Sequence, residues 1–158
     1  MEHLSSNITM EDDHTVIFLT GPINEFAADH LNSLQSKKKP GKYTFDFKGI
    51  DYVNSLGLRV WVNFFNSFQE GKVITFRNCT PDIIMQINMV ASFSKGATIE
   101  SFIGRFMCME CDSEKDYLFD GKKSREALLG ECSTITCENC DVPMELETDE
   151  ESFLEFKK

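Results

Sequence analysis

A chain of 158 residues that is 41% hydrophobic and 27% charged has the size and composition of one ordinary globular domain, or of one domain plus a small module, and is long enough to bury a core. No run approaches the roughly 20 uninterrupted apolar residues that span a bilayer, and the acidic start MEHLSSNITMEDDHT lacks the basic-then-apolar plan of a secretory leader, so a cytoplasmic protein with no membrane partner is expected. The net charge of −10, half of it within residues 141–158, repels a polyphosphate backbone, which argues against nucleic acid and leaves proteins as the expected partners.

Residues 3–9 (HLSSNIT) are a candidate edge strand, and 15–20 (TVIFLT) a short apolar run with the look of a buried strand. A first helix is expected over about 24–37, where Phe26, Ala27, Leu31 and Leu34 recur at spacings of three and four and KKKPGK supplies lysines for the negative helix end, then a stop. A strand at 43–47 (YTFDF) alternates aromatic and polar positions. The second helix, 56–68, follows the cap residues Asn54-Ser55 and is apolar on nearly every face, through Leu56, Leu58, Val60, Trp61, Val62, Phe64, Phe65 and Phe68. A strand at 73–76 (VITF) precedes Thr80-Pro81-Asp82, which opens a third helix with a cap residue, proline at the first helical position and an acid in the first turn. A last strand is expected at 97–103 (ATIESFI). Strands alternating with helices predict an α/β domain over residues 1–103, with a mixed or parallel sheet of four or five strands and helices packed on it.

After residue 103 the composition changes to MCMECDSEKDYLFDGKKSREALLGECSTITCENCDVPMEL, rich in cysteine and in polar turns, so a second module is expected at 104–146, followed by an acidic tail at 147–158. Cys108 and Cys111 form one CxxC pair, Cys137 and Cys140 another. Each pair puts two thiolates on one tight turn, and two such turns supply the tetrahedral four-sulfur shell that Zn2+ prefers. One structural zinc is therefore expected, because a shell closed by four cysteines leaves no position for substrate or water. Iron takes the same ligand set, and redox-active CxxC pairs remain a further alternative. Cys132 lacks a CxxC partner and reads as a free thiol beside the site. Cys79 reads as a small core residue. His3, His14 and His30 are isolated and read as surface residues, and Glu110, Asp112 and Glu114 flank the first cysteine turn with nothing nearby to suit them for acid–base work.

The order of elements over about residues 3–103, together with FDFKGIDYVNSLGLRVWVNF, resembles the STAS domain, the fold of bacterial anti-sigma factor antagonists. The likeness is carried by the strand Tyr43 to Phe47, the turn Ile50-Asp51-Tyr52-Val53-Asn54, and Ser55-Leu56-Gly57-Leu58 opening a helix where the family shows Asp-Ser-Ser/Thr-Gly-Leu. TGPINEFAADHL at 20–31 is similar to the family's junction between strand and first helix. In that family a serine or threonine at the helix start is phosphorylated by a partner kinase, and the added charge blocks docking. The resemblance thus implies a protein-binding, phospho-switch surface at Asn54, Ser55, Leu56 and Gly57. This chain departs from the pattern with Asn54 in place of the aspartate and Leu56 in place of the second hydroxyl residue, leaving Ser55 alone. An ordinary helix cap at Asn54-Ser55 and close helix packing at Gly57 account for the same residues without a partner.

The combined expectation is a non-catalytic bacterial regulatory or scaffold protein: a STAS-like domain binding a kinase-like or sigma-regulatory protein, with a zinc ribbon attached. The alternative is an electron-transfer protein with iron in a rubredoxin-like four-cysteine site.

Overall fold

The computed structural model describes residues 3–36 and 39–158. Its first half is built on a hairpin, β1 (Ser5–Glu11) and β2 (His14–Ile23), antiparallel and joined by a tight turn in which Asp12 takes a left-handed φ of 54°. The chain then makes a 3₁₀ turn, Glu25–Ala27, capped by the Asn24 side chain, and enters α1 (Ala28–Leu34). The helix expected over 24–37 is therefore shorter and begins as a 3₁₀ turn, because Asn24 caps Phe26 and the last turn closes from the Gln35 N–H to Asn32 O. Lys37 and Lys38, expected in its last turn, lie outside the described residues.

Next come β3 (Gly41–Val53), α2 (Ser55–Phe68), β4 (Lys72–Arg77), α3 (Pro81–Met89) and the two-residue β5 (Thr98–Ile99). The sheet order is β1-β2-β3-β4-β5, parallel everywhere except the hairpin. This is the expected α/β architecture, with the edge strand at the N-terminus present. The core lies under α2: Trp61, Phe65 and Phe68 meet Phe45, Phe47 and Phe76 of β3 and β4 mostly edge to face, while Trp61 and Phe65 stack on each other. The Trp61 indole N–H donates to Phe93 O at 2.9 Å, which satisfies the one polar atom of that residue. Side chains alternate along a strand, so Asp46, between Phe45 and Phe47, faces away from α2. There it is buried and accepts from Arg77 Nε (2.8 Å), Asn78 Nδ2 (2.9 Å) and the Lys48 N–H (3.0 Å).

The strand expected at 97–103 is split. β5 completes the first sheet, Glu100 turns the chain, and β6 (Ser101–Met107) starts a second sheet of order β7-β6-β8 with β7 (Glu114–Asp120) and β8 (Glu145–Leu146). The turn is fixed by the Glu100 N–H donating to Phe76 O and the Gly121 N–H to Glu100 O, both 2.8 Å. The expected boundary at 103/104 thus falls inside β6. That strand begins before residue 103 because Cys79 and Phe102 bridge the two halves, with Cys79 donating to Ser101 O and Ile103 donating to Cys79 O.

Between β7 and the second cysteine turn the chain forms α4 (Arg125–Cys132), capped by the Ser124 hydroxyl. At the C-terminus, α5 (Glu150–Phe153) and a 3₁₀ turn bury Phe153 and Leu154. Asn88 of α3 clasps this segment: its Nδ2 donates to the Ser152 and Phe153 carbonyls, both at 3.0 Å, and its Oδ1 accepts from the Phe156 N–H at 2.8 Å. Residues 147–158, expected as an acidic tail whose last residues form a short helix or strand or fray, hold this short helix and 3₁₀ turn docked against α3. Buried residues of both halves form one continuous hydrophobic cluster.

Candidate metal centre and partner surface

The two cysteine turns match bond for bond. In the first, the Cys108 N–H donates to Ser113 O (2.9 Å) and the Asp112 N–H to Cys108 O (2.9 Å). In the second, the Cys137 N–H donates to Val142 O (2.9 Å) and the Asp141 N–H to Cys137 O (2.8 Å). Asp112 and Asp141 both take left-handed backbone, φ 59° and 56°, a conformation Asp tolerates better than most residues. The aspartate after each CxxC is thus what lets the chain turn away once the second thiol is placed. β6 delivers Cys108, whereas Ile135 and Met144, joined by a 2.9 Å hydrogen bond, frame the second turn.

This folding brings together all four cysteines picked out from sequence. Their Sγ atoms lie within 4.8 Å of one another, and Cys111 Sγ is 3.7 Å from Cys137 Sγ. A tetrahedron with metal–sulfur bonds of about 2.3 Å has sulfur–sulfur edges of about 3.8 Å, so the donor set fits a zinc- or iron-sized ion. Cys108 and Cys137 are buried, Cys140 half-buried and Cys111 exposed, so the site lies at the surface with the Cys111 edge open. The thiols are held apart in acidity: the Ser113 hydroxyl and then backbone N–H groups draw Cys137 down to about 6, whereas contact with Cys111 pushes Cys140 up to about 12. A divalent cation held by Cys108, Cys111, Cys137 and Cys140 would remove this division by keeping all four as thiolates.

Sequence reasoning missed Ser113. Its Oγ lies 3.1 Å from Cys111 Sγ and 3.4 Å from Cys137 Sγ; the only signal was a hydroxyl two positions past a CxxC. Cys132 is not part of the cluster. It is buried in α4, and that burial raises its thiol to about 11. Cys79 is fully buried between the halves, where loss of solvent pushes its thiol far above the ordinary range.

At the other candidate site, Asn54 caps α2 by accepting from the Gly57 N–H at 2.8 Å, and its Nδ2 reaches Glu25 Oε2 at 3.4 Å. The cap is therefore Asn54, which leaves Ser55 exposed at the first helical position. Gly57 is buried against the end of β2: a Cβ there would lie 1.8 Å from Ile23 O, so this glycine lets the helix start pack directly on backbone. The Asn54 N–H donates to the same Ile23 carbonyl at 3.2 Å. These contacts bring the loop after β2 beside the loop after β3. Phe26 on the 3₁₀ turn, Tyr52 near the end of β3 and Leu56 at the start of α2 are 53%, 44% and 52% exposed. Beside Phe26 opens a groove of about 670 Å³ lined by His3, Asp29, His30 and Ser33 among others. His30 Nε2 is 2.8 Å from Ser6 Oγ there.

No family model matches this sequence, and none of the curated proteins does. Among solved structures, an anti-sigma factor antagonist from Mycobacterium paratuberculosis is similar, with 15% identity and a TM-score of 0.45 over 61% of this chain and 84% of that one. No helix among the described residues is long and apolar enough to cross a membrane.

Proposed function

We propose that this chain is a non-catalytic regulatory or scaffold protein of the cytoplasm, which binds a protein partner through the surface around Asn54, Ser55, Leu56 and Gly57 and carries one structural zinc on Cys108, Cys111, Cys137 and Cys140. The observation that carries the reading is the exposure of Ser55 at the start of α2, with the exposed apolar side chains of Leu56, Tyr52 and Phe26 nearby. About half of each of these side chains is left in water, and burying that surface in a partner is favourable by about 25 cal/mol per Å². The exposed acids Glu25 and Asp29 lie beside Phe26 on the 3₁₀ turn and the start of α1, so the complementary partner surface is an apolar patch edged with basic groups. Phosphate on Ser55 would add nearly two negative charges at a helix N-terminus that can stabilise them, and would alter that complementarity. The expected partner is kinase-like or sigma-regulatory, as the resemblance of residues 50–58 implies.

The test is crosslinked capture from the native host with wild type, Ser55→Asp and Leu56→Glu, read by mass spectrometry. A kinase-like or sigma-regulatory protein held by wild type and lost by both variants supports the reading. Equal capture by all three moves the partner surface away from α2. The rival reading, electron transfer through iron in the four-cysteine site, is favoured only by the exposed Cys111 edge. It predicts a coloured protein with a reversible one-electron couple, whereas the zinc protein is colourless.

A further inference from the structure

The two cysteine turns share their hydrogen bonds and their left-handed aspartates but differ at the residue that closes them: serine at 113, valine at 142. Valine closes the second turn through its carbonyl alone, so nothing in the backbone plan calls for a hydroxyl. Ser113 nevertheless touches three of the four ligands. Its carbonyl accepts from the Cys108 N–H at 2.9 Å, and its Oγ lies 3.1 Å from Cys111 Sγ in its own turn and 3.4 Å from Cys137 Sγ in the other.

We propose that Ser113 is a positioning residue for the metal, its hydroxyl donating a hydrogen bond to the metal-bound thiolate of Cys111 in its own turn, with Cys137 of the other turn as the second acceptor within reach. This rests on the four-cysteine site binding a metal. Metal-bound thiolates carry no proton and only accept, so the Ser113 hydroxyl is the donor. Four thiolates around one divalent ion leave about two negative charges on the sulfurs, and a hydrogen bond to one of them draws off part of that charge and weakens sulfur–sulfur repulsion. A serine has one O–H and serves one sulfur at a time. Cys111, the nearer and the exposed ligand, gains most, because its bond is the one that water and chelators reach first.

The experiment compares wild type, Ser113→Ala, Ser113→Val and Ser113→Thr as full chains. Zn2+ affinity is read by competition with a chromogenic chelator, and bound Co2+ by its thiolate-to-metal absorption band. The valine variant copies the second turn and keeps its backbone closure. The expected result is Zn2+ binding weaker by about 10–100-fold in the alanine and valine variants, with faster release to chelator, a shifted cobalt band and recovery of all three in the threonine variant. Wild-type affinity and band in the alanine and valine variants overturn the proposal. So does a loss that threonine does not restore, which assigns the effect to folding. If wild type itself takes up neither ion, the four-cysteine reading fails and the role of Ser113 with it, a result separable from the other two.

Discussion

Replacing Gly57 by alanine should destabilise the protein, although the same change in most helices is favourable. Glycine in a helix costs about 1 kcal/mol relative to alanine through backbone entropy, so propensity alone predicts a gain. At Gly57 the added Cβ would fall 1.8 Å from Ile23 O, 2.3 Å from Ile23 C and 2.7 Å from Asn24 Cα, all backbone atoms, where real Cβ contacts stay beyond 3.0 Å. No rotamer relieves this contact. The start of α2 would have to retreat by more than about 1 Å, loosening the Asn54 cap and the Trp61 packing behind it. Overpacking of a well-filled core costs about 1–3 kcal/mol, and the top of that range applies where the obstacle is backbone. A loss of about 3 kcal/mol lowers the melting temperature by about 6–12 °C in a protein of this size. Gly130, in α4, is the matched control: a Cβ there meets nothing within 4 Å, so Gly130→Ala should raise stability by about 0.5–1 kcal/mol. Urea and thermal unfolding of both variants decide it, and a Gly57→Ala variant as stable as Gly130→Ala would refute the packing account of the α2 start.

Chelation should raise hydrogen exchange first in residues 108–113 and 137–144, whose turns are closed by the cysteine hydrogen bonds, while β3 and β4 stay protected; exchange measured by mass spectrometry with and without chelator checks this. Arg77→Met should cost about 2–4 kcal/mol in urea unfolding, because it leaves the buried Asp46 carboxylate without its cation. Glu11, hydrogen-bonded by Arg77, and Asp13, held by Lys42, are both kept below the ordinary carboxylate range. A depressed carboxylate stabilises above its unfolded value and loses that contribution as pH falls through the folded one, so stability should decline from about pH 5 towards pH 3. Glu11→Gln should flatten that decline in urea midpoints measured across the range.

The α/β half was legible because its signals agree with one another. Asn54 and Thr80 are caps followed by apolar helices, and Phe45 and Phe47 alternate about Asp46 as a strand with one face under an apolar helix requires. The clustering of Cys108, Cys111, Cys137 and Cys140 was legible from spacing alone, since two CxxC pairs place their thiols on two short turns that can face each other wherever they sit. What was lost depended on distant partners. The break at Glu100 is made by Phe76 O and Gly121, the latter with only 2.0 Å between its missing Cβ and Ile99 O, and neither is near in sequence. Helix α4 was passed over because Ser124 supplies its one cap and only Leu128 and Cys132 are buried in a largely polar stretch. The C-terminal segment read as acidic because its charge outweighs Phe153 and Leu154, which are buried through partners distant in sequence: Phe102 and Phe119 pack on Phe153, and Asn88 on α3 and Arg125 on α4 bond the backbone.

The most direct test of the account is elemental analysis of the protein as purified under reducing conditions, alongside Cys137→Ser. The account predicts one zinc per chain in wild type and a colourless solution, with the metal lost in the variant. A wild-type chain that carries no metal, or one that carries iron and is coloured, would contradict the structural zinc site.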